Sequence, residues 1–361
     1  MFNNKNKFFF GFIFLIVLLV FIKKTNKSSI GFKQYNNLLV QPGENHFINL
    51  KQLTFSGENA EAYFSKDGNQ LIFQSHDGDS LCDQIYIMDI NSGEVKMVST
   101  GKGVTTCSYF EYPNCNKIIY SSTHLGGENC PPKPDYRLGY VWKLYQDYDI
   151  FSSFSNGDSI VQLTDSEDYD AEATVAFNGS KIIYTSMSSG DLDLWIMNIN
   201  GSEKKQLTKR LGYDGGAFFS YDSKKIVWRA FYPKTEQEVL DYKRLLSDNS
   251  IRPMALQLWT MNFDGTNKKQ ITSNNAANFG PYFFPDGKRI IFSSNMNDPK
   301  GRDFDLYSID INGENLERLT FFEGFDGFPM FSYDGKFLVF ASNRNQIKEG
   351  DTNIFICEWK D

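Results

Sequence analysis

Only three histidines occur in 361 residues, and no His-Glu-x-x-His helix, Gly-x-Ser-x-Gly elbow or phosphate-binding loop is present. Those absences remove the common signatures of zinc proteases, serine hydrolases and nucleotide-dependent enzymes, so the chain reads as a binding protein rather than an enzyme. The five cysteines, Cys82, Cys107, Cys115, Cys130 and Cys357, are odd in number and contain no Cys-x-x-Cys pair. Neither a structural zinc site nor a complete disulfide framework is signalled. Positive charge is not in excess either: 37 Lys and Arg stand against 44 Asp and Glu, a net charge of -7. Polyphosphate therefore finds no electrostatic footprint, and nucleic acid is not an expected partner. No cofactor is called for.

Long apolar runs are scarce. The exception is Phe8 to Ile22, uncharged throughout, with Lys5 and Lys7 before it and Lys23, Lys24 and Lys27 after it. Its length is short of the roughly 20 residues that span a bilayer, although snorkelling lysines extend its reach, and signal-peptide cores have this length. The following Lys23 to Phe32 offers no small-x-small cleavage site, so residues 1–32 are expected to be an uncleaved signal anchor rather than a signal peptide, with membrane contact through residues 8–22. Residues 33–45 are expected to be a tether.

What is abundant is aromatic and turn-forming: 33 Phe, 19 Tyr and 28 Gly suit an all-β core. A block of aromatic or small residues, a tight turn and a β-branched triplet recurs six times, with turns at Asp67-Gly68, Asn114-Cys115, Asn178-Gly179, Asp222-Ser223, Asp286-Gly287 and Asp334-Gly335. The triplets that follow include Leu71-Ile72-Phe73, Ile182-Ile183-Tyr184 and Ile290-Ile291-Phe292. Asp-Gly between such runs is a strong hairpin signal. A third strand and a fourth ending in Leu-Thr or a relative complete each unit, at turn-to-turn spacings of 47, 64, 44, 64 and 48 residues. The last copy lacks its fourth strand, while an orphan fourth strand, Phe47 to Thr54, stands before the first. Pairing the two closes a ring and hides the open sheet edges. The fold expected over residues 46–361 is thus a six-bladed β-propeller closed by its N-terminal strand.

The repeat, best seen in Pro281 to Ser294, resembles that of the TolB-like, WD-like propellers, over about residues 46–359. The resemblance implies the fold; neither the α/β domain that precedes the propeller in TolB nor a peptidase domain after the last blade is expected. Some related propellers act as lyases on acidic sugars.

Propeller topology puts the loops entering each innermost strand on one face with the loops joining second and third strands. Two inserts, Thr123 to Tyr148 and Tyr232 to Gln257, fall in the second class, and Val239, Tyr242, Leu245 and Leu246 predict a short amphipathic helix in the second insert. Counting eight residues back from each turn gives Asn59, Thr106, Asp170, Asp214, Asn278 and Asp326 at the strand entrances, with Glu61 and Glu172 two positions further on. They are expected to ring an acidic channel mouth able to receive a cation, an amine or a basic peptide, while also capping loop backbone groups. A second polar series, Gln84, Asp149, Asp193, Gln257, Asp305 and Asn353, is expected to be structural. His76 and His124 follow second strands on the same face and draw a metal or general-base site with Glu61. Cys107 and Cys130 are the candidate disulfide, buried free thiols being the alternative. The expected function is an extracytoplasmic (periplasmic), membrane-tethered module binding an envelope protein or peptide; the alternative is a carbohydrate-active or metal-assisted lyase or hydrolase at the channel mouth.

Overall fold

The computed structural model describes residues 39–361 apart from 79–81, 136, 138, 299, 300 and 302. The apolar run at residues 8–22 lies outside the described residues, and no described helix is long and apolar enough to cross a membrane.

Six antiparallel four-stranded sheets form the blades. Their innermost strands are Glu58–Phe64, Thr105–Phe110, Asp170–Val175, Tyr213–Phe219, Asn278–Phe283 and Asp326–Phe331, and each hairpins into a second strand through the turns read from the sequence. The triplets on those second strands are buried on both faces, Leu71, Ile72, Ile182, Ile183, Ile290 and Ile291 being fully inaccessible. Burying a large apolar side chain contributes about 1.5–3 kcal/mol, so this repeated stripe is the main cohesive term of every blade. The sixth sheet runs Phe47–Gln52, Asn353–Trp359, Phe337–Ser342, Asp326–Phe331, with Phe47 opposite Trp359 and Lys51 opposite Ile356. The ring closes as the orphan strand requires.

The Leu-Thr endings have a mechanical role repeated in all six blades. The Thr208 hydroxyl accepts from Leu194 N at 2.8 Å and donates to Asp193 at 3.1 Å. Thr164, Thr272, Thr320 and Thr54 do the same with Asp149, Gln257, Asp305 and Asn353, and Ser99 with Gln84. Each hydroxyl satisfies a backbone donor at the start of the third strand, beyond the end of the outer strand, which in five of the six blades has only two or three residues. The second polar series is therefore a set of latches, as its periodicity suggests.

Residues 39–45 are not a free tether. Glu44 is buried and pairs with Arg344, which also bonds the Leu39 carbonyl at 2.9 Å and Asp326 at 2.7 Å. A fully buried guanidinium needs its charge met from several sides, and the segment ahead of the closing strand supplies one of those sides.

Candidate functional site

The two inserts meet. Trp142–Lys143 of the first pairs antiparallel with Ser250–Ile251 of the second, bridging the third blade. The second insert carries the predicted helix, Glu236–Ser247, capped by Thr235 and Glu238 in a reciprocal box and seated through Tyr242 and Leu245. Tyr242, Leu245, Ile251, Leu256 and Leu144 pack with Met187, Leu192 and Tyr213 of the third and fourth blades, so the inserts make a fixed canopy over one side of the channel face. Its Trp142 ring lies 5.1 Å from the Arg229 guanidinium.

The carboxylates and amides of the entrance ring are not solvent-facing. Asn59, Asp170, Asp214, Asn278 and Asp326 are all buried. Asn59 donates to the carbonyls of Ser56 and Thr352 and accepts from Ser75; Asn278 donates to Leu256 O and Asn274. Asp170 holds Ser166, Asp326 holds Arg344, and Asp214 accepts from Trp228 Nε1 and Tyr232 OH at 2.6 Å each. Burial pushes the Asp214 carboxyl up to about 7 despite those donors, and also raises Asp170 and Asp326. These side chains tie inner strands to neighbouring loops. In the second blade the ring position is Thr105, opposite Ser122 and hydrogen-bonded to it at 2.9 Å; Thr106 is displaced by one because Glu111 pairs with Lys117 across a turn one residue longer than its counterparts. The eight-residue count fails there for that reason.

What lines the channel is the residue two positions further on. In every inner strand the ladder slips at this place, and Glu61, Cys107, Glu172, Gly216, Gly280 and Phe328 share φ values of 51–58°. A bulge in the left-handed region turns one extra residue out of the ladder, and only two of the six are glycines, so four side chains are held in a backbone state that costs about 1–3 kcal/mol each. All six border one recess with Tyr63, Ser108, Ala173, Thr174, Phe218 and Arg229. Below it the axis is closed by aromatics: Tyr63 packs on Tyr109 and Phe218 at 5.3 and 5.4 Å, and the Tyr109 and Tyr282 hydroxyls bond at 2.8 Å.

One wall of the recess is ionic. Glu172 pairs with Arg229 and accepts from Thr185 Oγ1 at 2.8 Å, Gly216 N at 3.0 Å and Tyr213 OH at 3.0 Å. A Cβ at Gly215 would sit 2.3 Å from the Glu172 carboxylate and one at Gly216 2.7 Å from Arg229, so glycine at both positions lets the pair close. Glu61 has no basic partner of its own, only a side-chain hydrogen bond with Cys107. Burial raises its carboxyl to about 7; Arg229 opposes that rise, whereas Glu172 and Asp83 add to it. The neighbouring Cys107 thiol is likewise raised by burial and by Glu61. Opposite stands an aromatic wall in which Phe279 contacts Phe304, Phe325 and Phe328 with centroids 5.2–6.1 Å apart.

His76, His124 and Glu61 do not converge. His76 Nδ1 bonds Asp83 at 2.7 Å, with Glu58 3.5 Å from Nε2, and these two acids hold the imidazole up to about 10, a cation at neutral pH. His124 packs at a tilt against Phe151, ring centroids 4.4 Å apart, and bonds Ser122; burial and Lys102 lower its proton affinity. Among the described residues no cluster of three or more His, Cys, Asp or Glu is arranged to hold a metal. The expected Cys107–Cys130 bridge is also replaced: Cys130 is joined to Cys82, Cα atoms 5.6 Å apart, and Cys107 is free. Cys82 sits in the loop entering the third strand of the first blade, next to the insert, whereas Cys107 is turned into the channel by its bulge.

The fold and the channel geometry define a six-bladed β-propeller. Residues 241–360 match the family model described as the TolB beta propeller domain, as the repeats led one to expect. Among solved structures the chain is similar to a TolB of Agrobacterium tumefaciens, described as putative, with 17% identity, TM-score 0.57 and coverage of 84% of this chain and 91% of that one. TolB from Acinetobacter baumannii gives 17% identity and TM-score 0.54 over 92% of this chain and 68% of that one. Oligogalacturonate lyase from Vibrio parahaemolyticus gives 12% identity and TM-score 0.50 over 86% and 93%. At such identities the likeness is one of fold. No curated protein matches the sequence.

Proposed function

We propose that the chain is a binding module for an envelope protein or peptide, tethered through residues 8–22 and working outside the cytoplasm through the canopy face. The observation that carries this reading is the apolar relief of that face. Phe55, Leu125, Tyr140, Met254 and Ile347 on its loops and Leu240 on the helix of the second insert are 57–81% exposed. Large side chains exposed together around a recess are what a partner covers. The Cys82–Cys130 bridge supports an oxidising, extracytoplasmic compartment. TolB itself, the protein of the similar solved structures, shares the architecture, and an interaction role accords with it.

The enzymatic alternative has less behind it. His76 is held as a cation by two carboxylates, which suits neither a general base nor a metal ligand. The test is a crosslinking capture from membranes with the full chain and with Tyr140→Asp and Leu240→Asp. A partner crosslinked by the parent and lost in both variants supports the reading. A partner retained by both places the contact elsewhere on the propeller.

A further inference from the structure

The recess on the propeller axis contains two features that the fold does not explain. The first is Ser108, a buried residue of the recess lining whose Oγ has no hydrogen-bond partner. An orphaned buried hydroxyl costs about 1–3 kcal/mol and calls for a group that the protein chain does not supply. The second is the charge count. Arg229 is matched by Glu172 and Asp83 by His76, so above about pH 7, where Glu61 ionises, the recess carries one unmatched negative charge. The direct bonds of Arg229 go to Tyr213 OH, from Nε at 3.0 Å, and to Glu172, from Nη2, so Glu61 feels its charge only at a distance.

The walls restrict what can meet that charge. Tyr63, Phe218 and Phe328 border the same recess, with Phe328 continuing into the Phe279–Phe325 shelf towards the mouth. A hydrated metal ion would gain nothing from such walls, and among the described residues no three ligating side chains are arranged to hold one. An ammonium on an alkyl stem fits better. Its charge would be met by the Glu61 carboxylate with the Ser108 hydroxyl close by, and its methylenes would lie against aromatic faces.

We propose that this recess binds an alkylammonium group, either a lysine side chain of a bound peptide or a free alkylamine, with Glu61 as counter-ion, Ser108 as second acceptor and Tyr63, Phe218 and Phe328 around the stem. The proposal rests on the binding-module reading and names the chemistry of one subsite within it.

Calorimetric titration of the full chain in detergent tests it with butylamine, N-acetyl-lysine methylamide and, as uncharged control, 1-butanol. At pH 8.5 both amines are expected to bind and butanol not. Binding should weaken on the order of thirtyfold at pH 5.5, where few Glu61 carboxyls remain ionised, and at least tenfold in Glu61→Gln at pH 8.5. Thermal melts of Glu61→Gln confirm its fold, and Ser108→Ala, a smaller change, is expected to weaken binding a few-fold. Butylamine binding without the lysine derivative supports the site with a free amine as occupant. Equal affinity in Glu61→Gln and parent, or binding of neither amine, overturns the proposal. Capture through Tyr140 and Leu240 is read separately, so the outer-face reading can survive that result or fail without it.

Discussion

Glu44, Asp326 and Arg344 show how much one buried charge commits its neighbours. Each is almost wholly inaccessible, so Arg344→Met strands two carboxylates in the interior. Breaking a buried pair from one side costs about 3–5 kcal/mol, and urea denaturation is expected to show a loss of that size. Lys336→Ala, which removes an exposed pair with Asp334, should leave the midpoint unchanged. Glu61 and Asp214 give a pH dependence of definite sign. Both carboxyls are raised to about 7 by burial, so between about pH 4 and 7 the folded form holds more protons than the unfolded one. Stability contributed by these groups is therefore lost as pH rises through that window. Asp214→Asn keeps an acceptor for Trp228 and Tyr232, and with Glu61→Gln it is expected to flatten the decline in a series of melts from pH 4.5 to 8.

At the scale of the element, the latches and the helix cap are the places to probe. Thr208→Val removes a hydroxyl that both accepts from Leu194 N and donates to Asp193 while keeping the side-chain shape. The orphaned donor should cost about 1–3 kcal/mol, with amide exchange accelerated at the start of Asp193–Asn198 and not in the distant blades. Thr235→Ala breaks the capping box and is expected to cost about 1 kcal/mol, loosening the canopy without touching the ring. The strands, hairpins and helix were legible because each repeats a local pattern: turn residues at fixed places, β-branched triplets, and apolar side chains at helical spacing. The bulges were not. A slip in an inner ladder leaves no mark in a sequence whose bulge positions hold Glu, Cys, Glu, Gly, Gly and Phe. The entrance ring was found and its burial missed for a related reason: polar residues at strand starts look the same whether they face water or tie loops.

For the whole molecule, the decisive contacts are those between distant parts of the chain. The Cys82–Cys130 bridge spans 48 residues and fastens the second blade's insert to the first blade. Reduction, or Cys82→Ser, is expected to lower stability by up to about 4 kcal/mol in the chain-entropy account, while Cys107→Ser should do little to it. Differential scans of the Cys82→Ser and Cys107→Ser variants decide between the two pairings, since only loss of a bridged cysteine lowers the midpoint. Taken alone, the sequence determined the number of blades, the closing strand, the face that carries the inserts and the predicted helix, because all of these follow from local periodicity and from the order of strands along the chain. Only the tertiary structure decided that the inserts pair with each other, that Cys130 meets Cys82, that Glu44 meets Arg344, and that Glu61 faces the axis beside an already neutralised pair. The physical reason is that a partner's distance and a side chain's burial are set when six blades are packed into a ring, and neither is written in the residues that will be brought together.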